Sequence, residues 1–249
     1  MITLFTSTGF TAMTALADLQ QHLTRFWAMP HHQNDELNAK LKEVQSWQQA
    51  RLQQTHRELF EQPKNQLMAD YFLTQLYGGE EFKLLAEQLA RILPKAKKLE
   101  RLAKESALEA GSMGIQAAIF AIELDLHLAQ WLLAQDLPVN EENMLTAYRT
   151  IDEENERRVQ IANLKDVCYR TDKHLNSFML KKAFALAKST AYRHGYQPLY
   201  DFIDTGFKAM KPLSSVSDFI EPFCKRELSI IDQVHDTDNG SKPVAFGVS

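Results

Sequence analysis

The chain has 249 residues, of which 45% are hydrophobic and 24% charged, with a formal net charge of −4. That is the balance of an ordinary globular protein long enough to bury a substantial core. The slight acidic excess gives no general electrostatic attraction toward nucleic acid or anionic membranes.

Nine glycines and eight prolines fall between periodic segments, and no strand-like alternation is bounded by turn residues, so the expected class is all-α, a bundle of roughly ten helices. The first helix is predicted from about Phe10 to Trp27, ahead of Pro30. The second covers about Asp35 to Phe60, with Leu41, Val44 and Leu59 on its apolar side and a glutamine-rich face, "QSWQQARLQQ", opposite. The third covers about Asn65 to Tyr77, closed by Gly78 or Gly79 in the left-handed conformation that favours glycine. The fourth, about Glu80 to Leu93, opens on two acids that complement its N-terminal dipole.

Pro94 starts a fifth helix that ends near Gly111. The sixth, about Met113 to Gln135, is the most apolar. A long seventh runs from about Glu141 to Tyr169, and an eighth from about Asp172 to Arg193, closed by Gly195. The ninth covers about Pro198 to Met210. The tenth covers about Asp218 to Val234, capped by Ser215 or Ser217, and Pro222 inside it demands a kink or a late start. Residues 1–234 read as one all-helical domain, with two packed lobes divided near Gly111 as the alternative. Residues 235–249 read as a mobile tail, because they carry no periodicity.

The stretch "YFLTQLYG", Tyr71 to Gly78, resembles the signature of a bacterial family known by its FFLEELY motif. The likeness continues in "WQQARLQQTHRELF" upstream, "FKLLAEQLARILPKAKKL" downstream, and "LYDFIDTGFKAM" and "FIEPFCKRELSIID" near the C-terminus, spanning about Leu37 to Asp232. The resemblance implies no activity, substrate or catalytic residue. Phe72, Leu73, Leu76, Tyr77 and Gly78 match the motif, and these are residues suited to packing and capping. Tyr71 replaces its first aromatic, and Thr74 and Gln75 stand where it has two glutamates. Neither replacement can ionise as a glutamate does, so metal or acid/base chemistry has no support at those two positions. On a helix Phe72 and Leu76, and Leu73 and Tyr77, are one turn apart, and with Met68 and Ala69 they make a broad apolar face.

Two clusters are candidates for chemistry. Gln116, Glu123, His127 and Gln130 share a narrow stripe of the sixth helix, and Glu123 and His127 are spaced to offer a carboxylate and an imidazole to one divalent metal, with Glu153, Glu154 or Glu156 as further acids. The chain has no Glu-x-x-His motif, and Glu153 with Arg157 and Glu154 with Arg158 read equally well as i, i+4 ion pairs on a solvated face. Asp125 points to the other side of the sixth helix, among Ala118, Ala121, Ile122, Leu128 and Leu132. It is expected to be buried and to need an arginine, a lysine or a helix N-terminus as its partner. The second cluster is basic, Lys95, Lys97, Lys98, Arg101 and Lys104, but it is interleaved with Glu100 and Glu105 and has no stacking aromatic, so no nucleic acid is expected.

Cys168 and Cys224 make no disulfide framework, no CxxC pair and no haem-attachment motif. The start, "MITLFTSTGFTAM", lacks the basic region and long apolar run of a secretory signal, so a cytoplasmic setting is expected. Ile115 to Leu133 approaches membrane length, but Glu123, Asp125 and His127 lie in its middle, and no transmembrane segment is expected. With no phosphate loop, nucleophile elbow or other catalytic signature, the leading expectation is a non-catalytic helical scaffold that contacts another protein or a second copy of itself. The alternative is a bundle that binds a metal or a small ligand through the Glu123 and His127 stripe. A divalent metal is the only cofactor it suggests.

Overall fold

The computed structural model describes residues 14–76, 79–94, 105–175 and 178–236. Among these, eleven α-helices follow one another without a strand: α1 Ala15–Trp27, α2 Asp35–Thr55, α3 Arg57–Phe60, α4 Gln66–Tyr71, α5 Gly79–Ile92, α6 Glu105–Ala134, α7 Glu141–Ile151, α8 Glu154–Leu175, α9 Phe178–Arg193, α10 Gln197–Met210 and α11 Ser217–His235. A short 3₁₀ turn, Pro30–His32, joins α1 to α2, and a π-helical turn, Phe72–Leu76, continues α4.

Several helix starts follow from side chains that accept the otherwise orphaned N–H groups of the first turn. Thr14 caps α1 by accepting from the Ala17 N–H at 3.3 Å, Asn34 caps α2 through the Leu37 N–H at 3.0 Å, and Asn140 caps α7 through the Asn143 N–H at 2.9 Å. Gly195 follows α9 with φ of 73°, and Gly79 is the first residue of α5 with φ of 83°, conformations that a Cβ would strain.

Four boundaries differ from expectation, each for a physical reason. The helix from Asp35 breaks at His56, whose ring is drawn into the interior between Glu227 and Phe223. The helix from Glu141 breaks at Asp152, a left-handed residue with φ of 55°, a conformation that aspartate tolerates better than most. Gly111 does not end a helix: α6 runs through it, which costs about 1 kcal/mol relative to alanine. The expected break between Tyr169 and Asp172 is also absent, since α8 continues to Leu175. The basic cluster from Lys95 to Lys104 and the tail 237–249 lie outside the described residues.

The helix α6 packs against α1, α2, α7 and α8. One core lies on its side toward α1, α2 and α5, built from residues such as Leu23, Phe26, Val44, Phe82, Ile119 and Leu126. A second core gathers Phe60, Phe72, Ile161, Phe219 and Phe223, from α3, the π-helical turn, α8 and α11. By length and composition Glu109–Ala134 could cross a membrane, but more than half of that segment is buried in the protein. Its Asp125 is ion-paired to Arg157 of α8, so α6 reads as the core helix of a bundle.

Candidate functional site

Glu123 and His127, the two ionisable residues of the polar stripe, face different partners. Glu123 forms an ion pair with Arg25 of α1, in which Nε donates to Oε1 at 3.2 Å. His127 places Nδ1 2.5 Å from Oε1 of Glu153, in the link between α7 and α8. Among the described residues no three His, Cys, Asp or Glu side chains converge as a metal site would require. The Glu153 carbonyl accepts from the Arg157 N–H at 3.0 Å, while its carboxylate reaches His127 and the Arg157 guanidinium turns inward to Asp125. Glu154 and Arg158 do pair, with Nε donating at 3.0 Å.

Asp125 is 1% exposed. It accepts from Gln48 Nε2 at 3.2 Å and from Arg157 Nη1 at 3.3 Å, and this joins it to a buried network that spans four long helices. Gln48 and Arg51 come from the glutamine-rich face of α2, and Gln48 Oε1 accepts from Arg51 Nε at 3.2 Å. Arg51 then grips Glu227 of α11 with both terminal nitrogens, each at 2.9 Å, the bidentate geometry that suits a guanidinium to a carboxylate. His56 Nε2 lies 2.8 Å from Glu227 Oε1, and its ring stacks on Phe223 with centroids 4.3 Å apart.

Burial would raise the Glu227 carboxyl, but the Arg51 charge and the hydrogen bonds from His56 and Arg51 override it and hold its pKa at about 2. Glu227 is therefore ionised at neutral pH, and His56 Nε2 must be the donor in their contact. On the other side of the network, Tyr148 takes a hydrogen bond from Gln48, and Arg157 lies over its ring at 5.1 Å from the centroid. Burial raises the Tyr148 hydroxyl pKa, against the pull of both arginines, so it remains a neutral donor and acceptor.

This network forms one wall of a cavity of about 120 Å³, lined by Gln48, Arg51, Tyr148, Arg157, Gln160 and Glu227. The opposing wall on α6 is Gly114, Ala117, Ala118 and Ala121, and aliphatic and aromatic side chains close the remainder. A second cavity of about 340 Å³ lies beyond, between α4, α6, α8, α9 and α10, with Met68, Tyr71, Phe184, Phe202, Phe207 and Met210 in its lining. Phe72, Gly114, Ala118 and Val167 line both. The space arises from what α6 lacks. Gly111, Gly114, Ala118, Ala121 and Asp125 recur at helical spacing on one side, and a Cβ added to Gly114 would meet nothing closer than Val167 Cγ1 at 3.8 Å.

The motif residues meet this space. Phe72 is buried in the partition between the cavities, Leu73 lines the first, and Tyr71 lines the second against Gly206 and Phe202. A Cβ on Gly206 would lie 3.1 Å from the Tyr71 hydroxyl, so glycine there is what admits the ring. The segment Phe72–Leu76 is wound as a π-helix, and the Leu73 carbonyl accepts from Gln49 Nε2 at 2.9 Å, which ties the turn to α2. Such π turns recur at functional sites. Thr74 is exposed and donates to the Asp70 carbonyl at 2.8 Å. The Leu76 side chain, Tyr77 and Gly78 lie outside the described residues.

Fold and site together define an all-helical bundle with a charged network in the wall of a largely apolar, partly open cavity. The chain belongs to the family described as domain of unknown function (DUF8198), whose profile matches residues 27–241 and so takes in every residue of the network. No curated protein and no solved structure matches the chain.

Proposed function

We propose that this protein binds a small organic molecule in the cavity beside Arg51, Arg157 and Glu227. The observation that carries the reading is the conjunction of that buried charged network with apolar walls around one space. Ligand sites commonly combine apolar walls with a few fixed polar groups in this way. The volume of about 120 Å³ is close to the roughly 150 Å³ of a cavity that admits benzene. Of the polar residues that line the space, Gln48, Arg51, Tyr148, Arg157 and Gln160 carry N–H or O–H donors, two of them on guanidinium cations, against the single carboxylate of Glu227. The polar end of the ligand is therefore an acceptor such as a carboxylate. We place the ligand here and not at Glu123 and His127, because each of those is engaged by a separate partner at the edge of α6.

Benzoate is the probe. Wild-type protein is expected to bind it saturably with one site by calorimetry and to melt at a higher temperature in its presence. Ala121→Phe, which fills the cavity from α6, removes both effects. Heats indistinguishable from dilution up to millimolar benzoate would defeat the reading.

An interaction role has a different observation in its favour. Leu186 on α9 is 74% exposed and Tyr192 on the same helix is exposed, while among the described residues α9 packs chiefly along α8 and α10. Self-association through that face predicts a mass in solution above the monomer that returns to the monomer in Leu186→Glu. A monomer at every concentration counts against it.

A further inference from the structure

The two cavities share a wall and are both largely apolar, but only the first has guanidinium groups in its lining, and we infer that they hold the two ends of one amphiphile: a carboxylate beside Arg51 and Arg157 in the first chamber, with its unbranched apolar tail in the second. This deepens the ligand reading above and rests on it. The second chamber, at about 340 Å³, lies within the roughly 300–1,000 Å³ of pockets that hold small organic ligands. Its lining is aromatic, methionine and aliphatic, with the hydroxyls of Tyr71 and Thr171 the main polar exceptions. Burial keeps the Tyr71 hydroxyl protonated by raising its pKa, and the same effect pushes the Cys168 thiol up to about 12, so neither places a charge near the tail.

The partition is where a chain would pass. Of the four residues common to both linings, Gly114 has no side chain and Ala118 a single methyl, so α6 contributes almost nothing to the barrier. Phe72, on the π-helical turn, and Val167 contribute the bulk, with Val167 Cγ1 only 3.8 Å from where a Cβ on Gly114 would stand, so a tail that crosses moves one of these two side chains aside. A tail that crosses exchanges the neighbourhood of the charged network for contact with Met68, Phe202 and Met210. A compact aryl acid such as benzoate fills the first chamber only. A longer alkanoate gains from each methylene that reaches the second.

The test is a series of straight-chain carboxylates from butanoate to tetradecanoate, titrated below their micelle concentrations into full-length wild-type protein, with benzoate as reference. Affinity is expected to rise about three- to fourfold for each added methylene, the transfer value for burying a CH₂, and to level off when the second chamber is full. Ala110→Leu and Ala110→Phe narrow that chamber in two steps from a buried position absent from the first lining. They are expected to move the optimum to progressively shorter chains and to leave benzoate affinity unchanged, which also reports that the variants are folded. Benzoate binding with alkanoate affinity independent of length would overturn the two-chamber inference and leave the ligand reading standing. A length dependence that is identical in wild type and both Ala110 variants would place the tail elsewhere and overturn it equally. Failure of benzoate and every alkanoate to bind would remove both.

Discussion

Glu227→Ala is expected to cost the fold roughly 3–5 kcal/mol, because it leaves the Arg51 guanidinium buried without the carboxylate that both its terminal nitrogens grip. Against a total stability of about 5–15 kcal/mol the loss is a large fraction, and for a chain of this size it lowers the melting temperature by on the order of 10 °C. His56 is affected as well, since its ring is held between Glu227 and the stacked Phe223, and it marks the break between α2 and α3. The acid limb of the stability curve supplies an independent reading. The folded carboxyl titrates at about 2 against an ordinary 4.5. A depressed acid contributes stability that is fully present above the unfolded value, and it is lost as pH falls from about 4.5 toward 2. The difference amounts to about 3 kcal/mol. Urea unfolding of wild type and Glu227→Gln at pH 7 and at a series of lower values is therefore expected to show a gap that narrows through this window. A gap of constant size would mean that the carboxylate charge is not what holds Arg51.

The helical class is legible in the sequence because glycine and proline fall between periodic stretches, and the expected starts at Asp35 and Glu141 coincide with those of α2 and α7, each just after an asparagine that caps it. The breaks at His56 and Asp152 are not legible. Local spacing continues through both: at His56 what bends the chain is a partner far away in sequence, Glu227, and at Asp152 it is a left-handed backbone conformation that periodicity does not reveal. Gly111 misleads in the other direction, because a glycine that ends a helix and one that makes room beside it look alike in one dimension.

The candidate site divides in the same way. Asp125 stands out as an acid on an apolar face. Its arginine does not, because Arg157 satisfies the i, i+4 rule with Glu153 as well as it satisfies Asp125 across the fold. Gln48 and Arg51 are hidden inside a segment whose many glutamines suggest a wet surface. Glu227 is hidden in an alternation of charges along α11. The cavities leave only an indirect trace, the run "AGSMGIQAAIFA", since empty space depends on what neighbouring helices fail to fill. The motif stretch carries a similar ambiguity: aromatics that pack a core and aromatics that line a chamber have the same spacing, and Phe72 does both.

Asp125 and Arg157 allow the structural and binding roles of the network to be separated. Asp125→Leu alone and Arg157→Met alone are each expected to cost roughly 3–5 kcal/mol, since each leaves its partner's charge buried. The double variant Asp125→Leu/Arg157→Met removes both charges together. Replacing a buried ion pair with apolar groups of similar size is often neutral or better, so the double variant should recover most of the loss, and urea unfolding will read the recovery as strong non-additivity. Gln48 limits the damage, because its Nε2 also donates to the Tyr148 hydroxyl and is not stranded when Asp125 is lost. The decisive measurement is then made on that folded double variant. If the network serves only to tie α2, α6, α8 and α11 together, benzoate affinity survives in proportion to the recovered stability. If Arg157 receives the acid group of a ligand, stability returns and binding does not, with affinity expected to fall by at least tenfold.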